Sequence, residues 1–163
     1  MADIISDGEI AQLIAEPKIL PVDYRKVLNL RAARGHRHAG LEIRGENGSE
    51  FRILLRQAAI DSLNFSAILA YLRRDIGSLF RLRRYNGLWT EHRNHLENGP
   101  RFLNYHIHQA TERYQRAGYE EDGYAEETDR YTDLSGSLRC MIEDCSIQEP
   151  PGDQIEIFEW GFS

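Results

Sequence analysis

The sequence predicts an α+β fold: a curved, mainly antiparallel sheet with a short N-terminal helix and a C-terminal helix packed on it. Three observations carry this reading. Apolar and polar residues alternate through the middle of the chain, turn residues separate the alternating runs, and a helical apolar period occurs near each end. With 163 residues and 41% hydrophobic content the chain fills one ordinary core, so 1–163 is read as a single domain.

Ser6-Asp7-Gly8-Glu9 has the spacing of a capping box, in which a hydroxyl and a carboxylate satisfy free backbone N–H groups at a helix start. Ile10, Leu13 and Ile14 then share one face, so a helix runs to about Glu16 and Pro17 ends it. The period then shortens, and Val27 with Leu28 and Leu30 supports a strand over 25–31. Leu41 and Ile43 alternate with polar residues up to Gly45-Glu46-Asn47-Gly48, and Glu50-Phe51-Arg52-Ile53-Leu54 follows, which reads as a β-hairpin. A second hairpin is expected from 65–72 and 78–85. Periodicity alone allows a helix over the first of these, but Asp75 and Gly77 provide turn chemistry and the next segment alternates. Gly87, Asn94, Asn98, Gly99 and Pro100 mark a long loop over 87–100, and long ordered loops often carry function. A strand over 102–110 and a loop over 117–131 come next. The C-terminal helix covers 132–144, with Leu134, Leu138, Met141 and Ile142 on its apolar face, and a final strand holds Ile155, Ile157, Phe158 and Trp160.

The net charge of -6 hides an asymmetry. Residues 1–118 carry 18 basic against 13 acidic side chains, a net of +5, while residues 119–163 carry 2 against 13, a net of -11. Such a chain suits a polyanion on one face, an acidic segment that covers the basic face, or an exposed acidic surface with no role. Eighteen of the 20 basic residues are arginine, which suits phosphate forks and equally reflects genomic base composition. No apolar run approaches the roughly 18 residues of a membrane span, and the N-terminus lacks the pattern of a signal peptide. The expectation is a cytoplasmic protein with no membrane contact. Cys140 and Cys145, five apart, read as small core residues rather than a disulfide or thiolate zinc pair.

All six histidines fall in close pairs, His36/His38, His92/His95 and His106/His108, and the last two pairs follow an arginine-rich run ending at Gly87. Imidazole moves protons or binds metal near neutral pH, and guanidinium grips phosphate. Alternate side chains of a strand share a face, so Asn104, His106 and His108 point one way and Leu103, Tyr105 and Ile107 point to the core. The same rule sends Phe80 and Leu82 inward and Leu79, Arg81, Arg83 and Tyr85 outward. Pairing of the two strands across the long loop gathers these outward groups with His92, Arg93, Asn94 and His95. The bland alternative is a solvated sheet face with incidental histidines.

Three uses of such a cluster are expected. Phosphodiester cleavage without a cofactor assigns acid and base roles to His92, His106 and His108, and phosphate binding to Arg81, Arg83 and Tyr85. Binding without catalysis uses the Arg/Tyr face on RNA or a partner protein. A metal centre for zinc or iron takes His106, His108 and His92 or His95, leaving one position for water. Gly99, His106-Ile107-His108, Glu112 and Gly118 approach a cupin motif, but each glycine spacing is off by one and no later histidine completes it. Nucleotide-loop, serine-elbow and zinc-deaminase motifs are absent. His36-Arg37-His38 reads as a basic loop tip or strand start with a supporting role at most.

Leu82-Arg83-Arg84-Tyr85-Asn86-Gly87, His92-Arg93-Asn94, Tyr105-His106-Ile107-His108, Asp122-Gly123-Tyr124-Ala125 and Met141-Ile142-Glu143-Asp144-Cys145-Ser146-Ile147 follow one another in order. In this the chain from residue 78 onward resembles a group of small bacterial proteins associated with toxin-antitoxin operons, the TumE-like family. TumE-like chains are usually shorter, and the family supplies no catalytic set to carry over. The resemblance implies a toxin-like or defence-associated protein acting on RNA, here expected as a metal-independent endoribonuclease. The rival expectation is a non-catalytic interaction protein, antitoxin-like or a defence-system subunit. Its acidic segment 119–133 and Arg/Tyr face would meet a cognate protein partner.

Overall fold

A computed structural model of the chain describes residues 3–150. In order along the chain the elements are α1 (Asp7–Ala15), β1 (Lys18–Ile19), α2 (Tyr24–Val27), β2 (Arg31–Ala33), β3 (His36–Arg44), β4 (Glu50–Ala58), β5 (Phe65–Arg73), β6 (Ser78–Asn86), β7 (His106–Gln109), α3 (Glu112–Arg116), β8 (Tyr124–Glu127), α4 (Leu134–Asp144) and β9 (Ile147–Gln148). The fold is α+β. Strands β2 to β8 form one antiparallel meander in chain order, with β2 and β8 at its edges, so the sheet does not close into a barrel. β1 and β9 form a separate parallel pair.

Local sequence explains most of these elements. The Ser6 hydroxyl accepts from the Glu9 N–H, and α1 ends just before Pro17. Both hairpins form, and Gly48 and Gly77 take the positive φ that their turns require. The Asp133 carboxylate caps α4, whose Leu134, Leu138 and Met141 are buried against β5 and β6. Cys140 and Cys145 are free thiols in the core.

The expected strand over 25–31 is instead α2 and a short connection. The Leu28 N–H donates to the Tyr24 carbonyl at 2.9 Å, the bond between residues four apart that defines an α-helix, and Tyr24 and Leu28 are both fully buried. The strand expected over 102–110 shortens to β7, with Phe102 in an isolated bridge to His92. Besides the short strands β1, β2 and β9, two elements went unread in the sequence. α3 starts at a Thr111 cap, and β8 lies inside an acidic run where Ala125 is the one buried side chain of the strand. The expected strand around Ile155 to Trp160 lies outside the described residues.

One irregularity decides what each sheet face presents. Leu69 pairs with Arg83 and Ala70 with Arg81, so Leu82 is an extra residue in β6, a β-bulge. Beyond it the alternation is offset. Tyr85 sinks into the core and is fully buried, while Arg84 and Asn86 line up with His108 and His106 on the outer face.

Lys18 ties the two ends of the described chain together. It is fully buried, and its three N–H groups are shared among the carbonyls of Leu13, Ile14, Glu16 and Cys145, at 2.8, 3.1, 2.8 and 2.8 Å from Nζ. Those carbonyls belong to the last turn of α1 and the end of α4, where helices leave acceptors unpaired. Burial pulls the ammonium down to about 8 from 10.5, against the carboxylate of Glu16. Lys18→Met should lower unfolding free energy by about 2–4 kcal/mol in urea, since it strands several buried carbonyls. The exposed Lys26→Met should change it by less than about 0.5 kcal/mol. Between pH 8 and 10.5 the unfolded chain holds the Lys18 proton more tightly than the folded one. Wild-type stability should therefore rise relative to Lys18→Met across that window, and an unchanged difference would contradict the buried placement.

Candidate functional site

The outer face of the sheet carries a polar row. Arg56 pairs with Ser66, Ser66 with Asn86, and Asn86 with His106, while Arg84 in the adjacent row pairs with His108. Residues 87–105 fold over the β7 end of this row. His92 and Phe102 exchange two backbone hydrogen bonds of 2.9 Å each, which cinches the loop into a short ladder. That ladder sets the His92 ring 4.5 Å from the His108 ring and 5.6 Å from the His106 ring, centre to centre, with His106 and His108 4.9 Å apart. Phe102 packs its edge on His92 and His106.

The hydrogen bonds fix which nitrogen of each ring carries its proton. His106 Nδ1 lies 2.6 Å from the Asn104 carbonyl and His108 Nδ1 lies 2.7 Å from the Asp122 carbonyl, so both Nδ1 atoms donate. His108 Nδ1 therefore cannot accept from Arg84, whose Nη2 approaches it at 3.5 Å. Asn94 Nδ2 donates to the Ala125 carbonyl and its Oδ1 accepts from the Ala125 N–H, each at 2.8 Å. That orientation leaves Oδ1 to accept from His92 Nε2 at 2.8 Å. The unprotonated nitrogens are thus Nε2 of His106, Nε2 of His108 and Nδ1 of His92. Asn86 Nδ2 approaches the first at a long 3.4 Å.

Charge presses the same way. His106 is 0% exposed and His108 3%, and burial lowers the pKa of both and of half-buried His92. For His108 burial, then Arg84 and the two neighbouring imidazoles, push it down to about 2. Asp122 is itself fully buried, with Arg84 Nε at 3.0 Å and Arg81 Nη2 at 3.5 Å. Neither contact is an aligned hydrogen bond, so the pairing is electrostatic. Burial raises the Asp122 carboxyl, and the two guanidiniums pull it back.

Of the residues singled out in the sequence, His92, His106 and His108 come together. His95 does not: it is exposed and stacks on Tyr119 at 5.3 Å. The expected trio of Arg81, Arg83 and Tyr85 does not share a face, because the Leu82 bulge splits it. Arg81 stays outside but is gripped by Glu120, Glu121 and Asp122. Arg83 lies on the opposite side, in an open groove of about 850 Å³ with Tyr105 and Arg130. The Tyr85 hydroxyl donates to Asp144 at 2.7 Å from within the core. The outer face is also not solvated at the histidines, since the loop covers them. Asn94 joins the cluster as expected, while Arg84, Asn86 and Asp122 were missed. Alternation carried past Leu82 would have buried Arg84 and Asn86, and that conflict was the available signal.

Beside the imidazoles lies a cavity of about 300 Å³, lined by His36, Arg56, Ser66, Arg84, Asn86 and Thr90 among others, with no acidic residue in its lining. Asn86 is buried, and its Oδ1 has no hydrogen-bond partner among the described residues. His36 thus reaches the cavity from the start of β3. Among the described residues no group of three or more His, Cys, Asp or Glu side chains is arranged to hold a metal ion.

The tautomers are testable. Nitrogen-resolved NMR should show the Nδ1–H form for His106 and His108 and the Nε2–H form for His92, with His108 still neutral at pH 4. Because these imidazoles are held below 6.5, the folded chain binds fewer protons than the unfolded one in mild acid. Stability should fall as pH drops below 6.5, and His108→Leu should flatten that fall; a protonated His108 at pH 5 would refute the buried arrangement. No family model matches the chain, and neither a curated protein nor a solved structure is found to match it.

Proposed function

We propose that this is a toxin-like protein that contacts RNA, seating a phosphate in the cavity between Arg56 and Arg84. The observation that carries the reading is the makeup of that cavity: the Arg56 guanidinium, an imidazole and the Arg84 guanidinium, the last paired on its far side with Asp122, and no acid in the lining. The β2–β3 hairpin beside it extends the positive surface with exposed Arg31 and Arg34. Trp89 adds a stacking surface next to Thr90 on the rim. It is 62% exposed and held at φ 72°, a left-handed conformation that costs a bulky residue energy and clusters at functional positions. An exposed indole beside arginines is what single-stranded RNA uses, base on ring and phosphate on guanidinium.

A metal-independent acid–base pair needs one imidazole protonated near neutral pH, and burial lowers all three imidazoles, His108 most, which works against that role. A second reading, an interaction protein, is favoured by the groove on the other side of β7 and β8, where Glu126, Glu127 and Asp129 face a basic partner.

Purified protein should bind a short single-stranded RNA at low salt. Arg34→Ala with Arg56→Ala should weaken it about tenfold and reduce the salt dependence by about one unit per arginine. Trp89→Ala should weaken binding with little change in salt slope. Expression should arrest growth, and the combined variant should relieve the arrest. Harmless expression with unchanged cellular RNA, or no RNA binding at low salt, would transfer the reading to the interaction protein.

A further inference from the structure

We propose that His92, His106 and His108 are the three protein ligands of a zinc-class divalent metal ion. The first support is spacing. Three imidazoles set tetrahedrally on zinc, with Zn–N of about 2.0–2.1 Å, hold their ring centres about 5 Å apart. The ring centres here are 4.5, 4.9 and 5.6 Å apart. His106 and His108 lie two apart on one face of β7, so one strand supplies two ligands and the overlying loop supplies the third.

The second support is the set of oxygens behind the rings. A metal-binding histidine gives its other N–H to a carbonyl or carboxylate, which fixes ring and tautomer and raises the basicity of the ligating nitrogen. All three rings do this: His106 to the Asn104 carbonyl, His108 to the Asp122 carbonyl, and His92 to Asn94 Oδ1. Asn94 is in turn clamped on both sides of the Ala125 peptide. Histidines that merely fill a core need one partner each and gain nothing from three lone pairs side by side, which apolar residues would replace at no desolvation cost.

Among the described residues the three imidazoles are not already arranged as a metal-holding group, so binding requires the His92 ring to turn on its loop toward the other two. It is half-buried on a loop, whereas the other two sit in a strand held on both sides. Asn86 stands between His106 and the Arg56–Arg84 cavity, with its Nδ2 3.4 Å from His106 Nε2, so metal binding displaces that long contact. The adjacent Arg84 charge, which would repel a cation, is offset by the buried carboxylate of Asp122.

The test uses the whole chain after chelation and dialysis, with zinc alone as the probe. Calorimetric titration should give one tight equivalent, thermal unfolding should shift upward with zinc, and cobalt(II) in its place should give the intense visible bands of a tetrahedral site. His92→Ala, which alters a loop rather than the sheet, should lose the equivalent and the bands, and His92→Gln should do the same. His95→Ala should keep both. Absence of stoichiometric zinc, retention of it by both His92 variants, or the weak spectrum of octahedral cobalt would overturn the proposal. No RNA enters these measurements, so the metal site stands or falls separately from the RNA reading.

Discussion

The face that the site occupies depends on one extra residue in β6. Arg83 and Arg84 are consecutive, so a regular strand must turn one of them into the core. Strict alternation from Phe80 and Leu82 would choose Arg84 and then Asn86, leaving Tyr85 in solvent. Burying an unpaired guanidinium under α4 costs several kcal/mol, and exposing Tyr85 forfeits an aromatic anchor of the core. The bulge at Leu82 exchanges the two outcomes. Tyr85 reaches Asp144 and the core, Arg84 reaches Asp122, and Asn86 comes level with His106. The unpaired ladder residue costs less than either alternative, which is why the chain tolerates it there.

This also marks how far the sequence was legible. Both long hairpins, the capped first helix and the amphipathic last helix followed from period and turn chemistry, because those depend on neighbours within a few residues. His106 and His108 on one face followed from the same period, and His92 beside them from the length of the loop. What failed depended on distant partners. β8 is hidden because its ladder partners make it a strand while its composition reads as an acidic loop. The seclusion of the histidines needs the loop over 87–105 and the Asp122 carbonyl, which approach from opposite sides of β7 in sequence. Arg81, Arg83 and Tyr85 were grouped by extending a period through the very position where it breaks.

The acidic C-terminal segment turns out to have a specific relation to the basic body. Glu120, Glu121 and Asp122 take Arg81 and share Arg84, so the segment neutralises the β6 arginines nearest to it. It does not reach Arg56 or the β2–β3 hairpin, which lie farther across the sheet in strand order. Charge is therefore sorted along the sheet: compensated at the β8 edge and positive toward β2. A polyanion approaching the outer face meets more positive charge toward Arg56 and the β2–β3 hairpin than at the β8 edge, which gives such a ligand an orientation before any close contact forms.

The β8 edge and the imidazole cluster are also one construction. An exposed strand edge presents free N–H and C=O groups that other chains can pair with. Here the Asn94 amide occupies both groups of Ala125, imitating a ladder partner with a side chain. The same Oδ1 then receives the His92 N–H. Closing the edge and orienting His92 are therefore achieved by a single residue, and the loop cannot release one without the other. Gly123 supports this arrangement from behind, since a Cβ there would fall 2.5 Å from the Tyr114 ring and push the Asp122 carbonyl off His108. Two rings of the cluster are thus set by contacts on the β8 side of the sheet, so a change in how that edge is covered reaches the imidazoles directly.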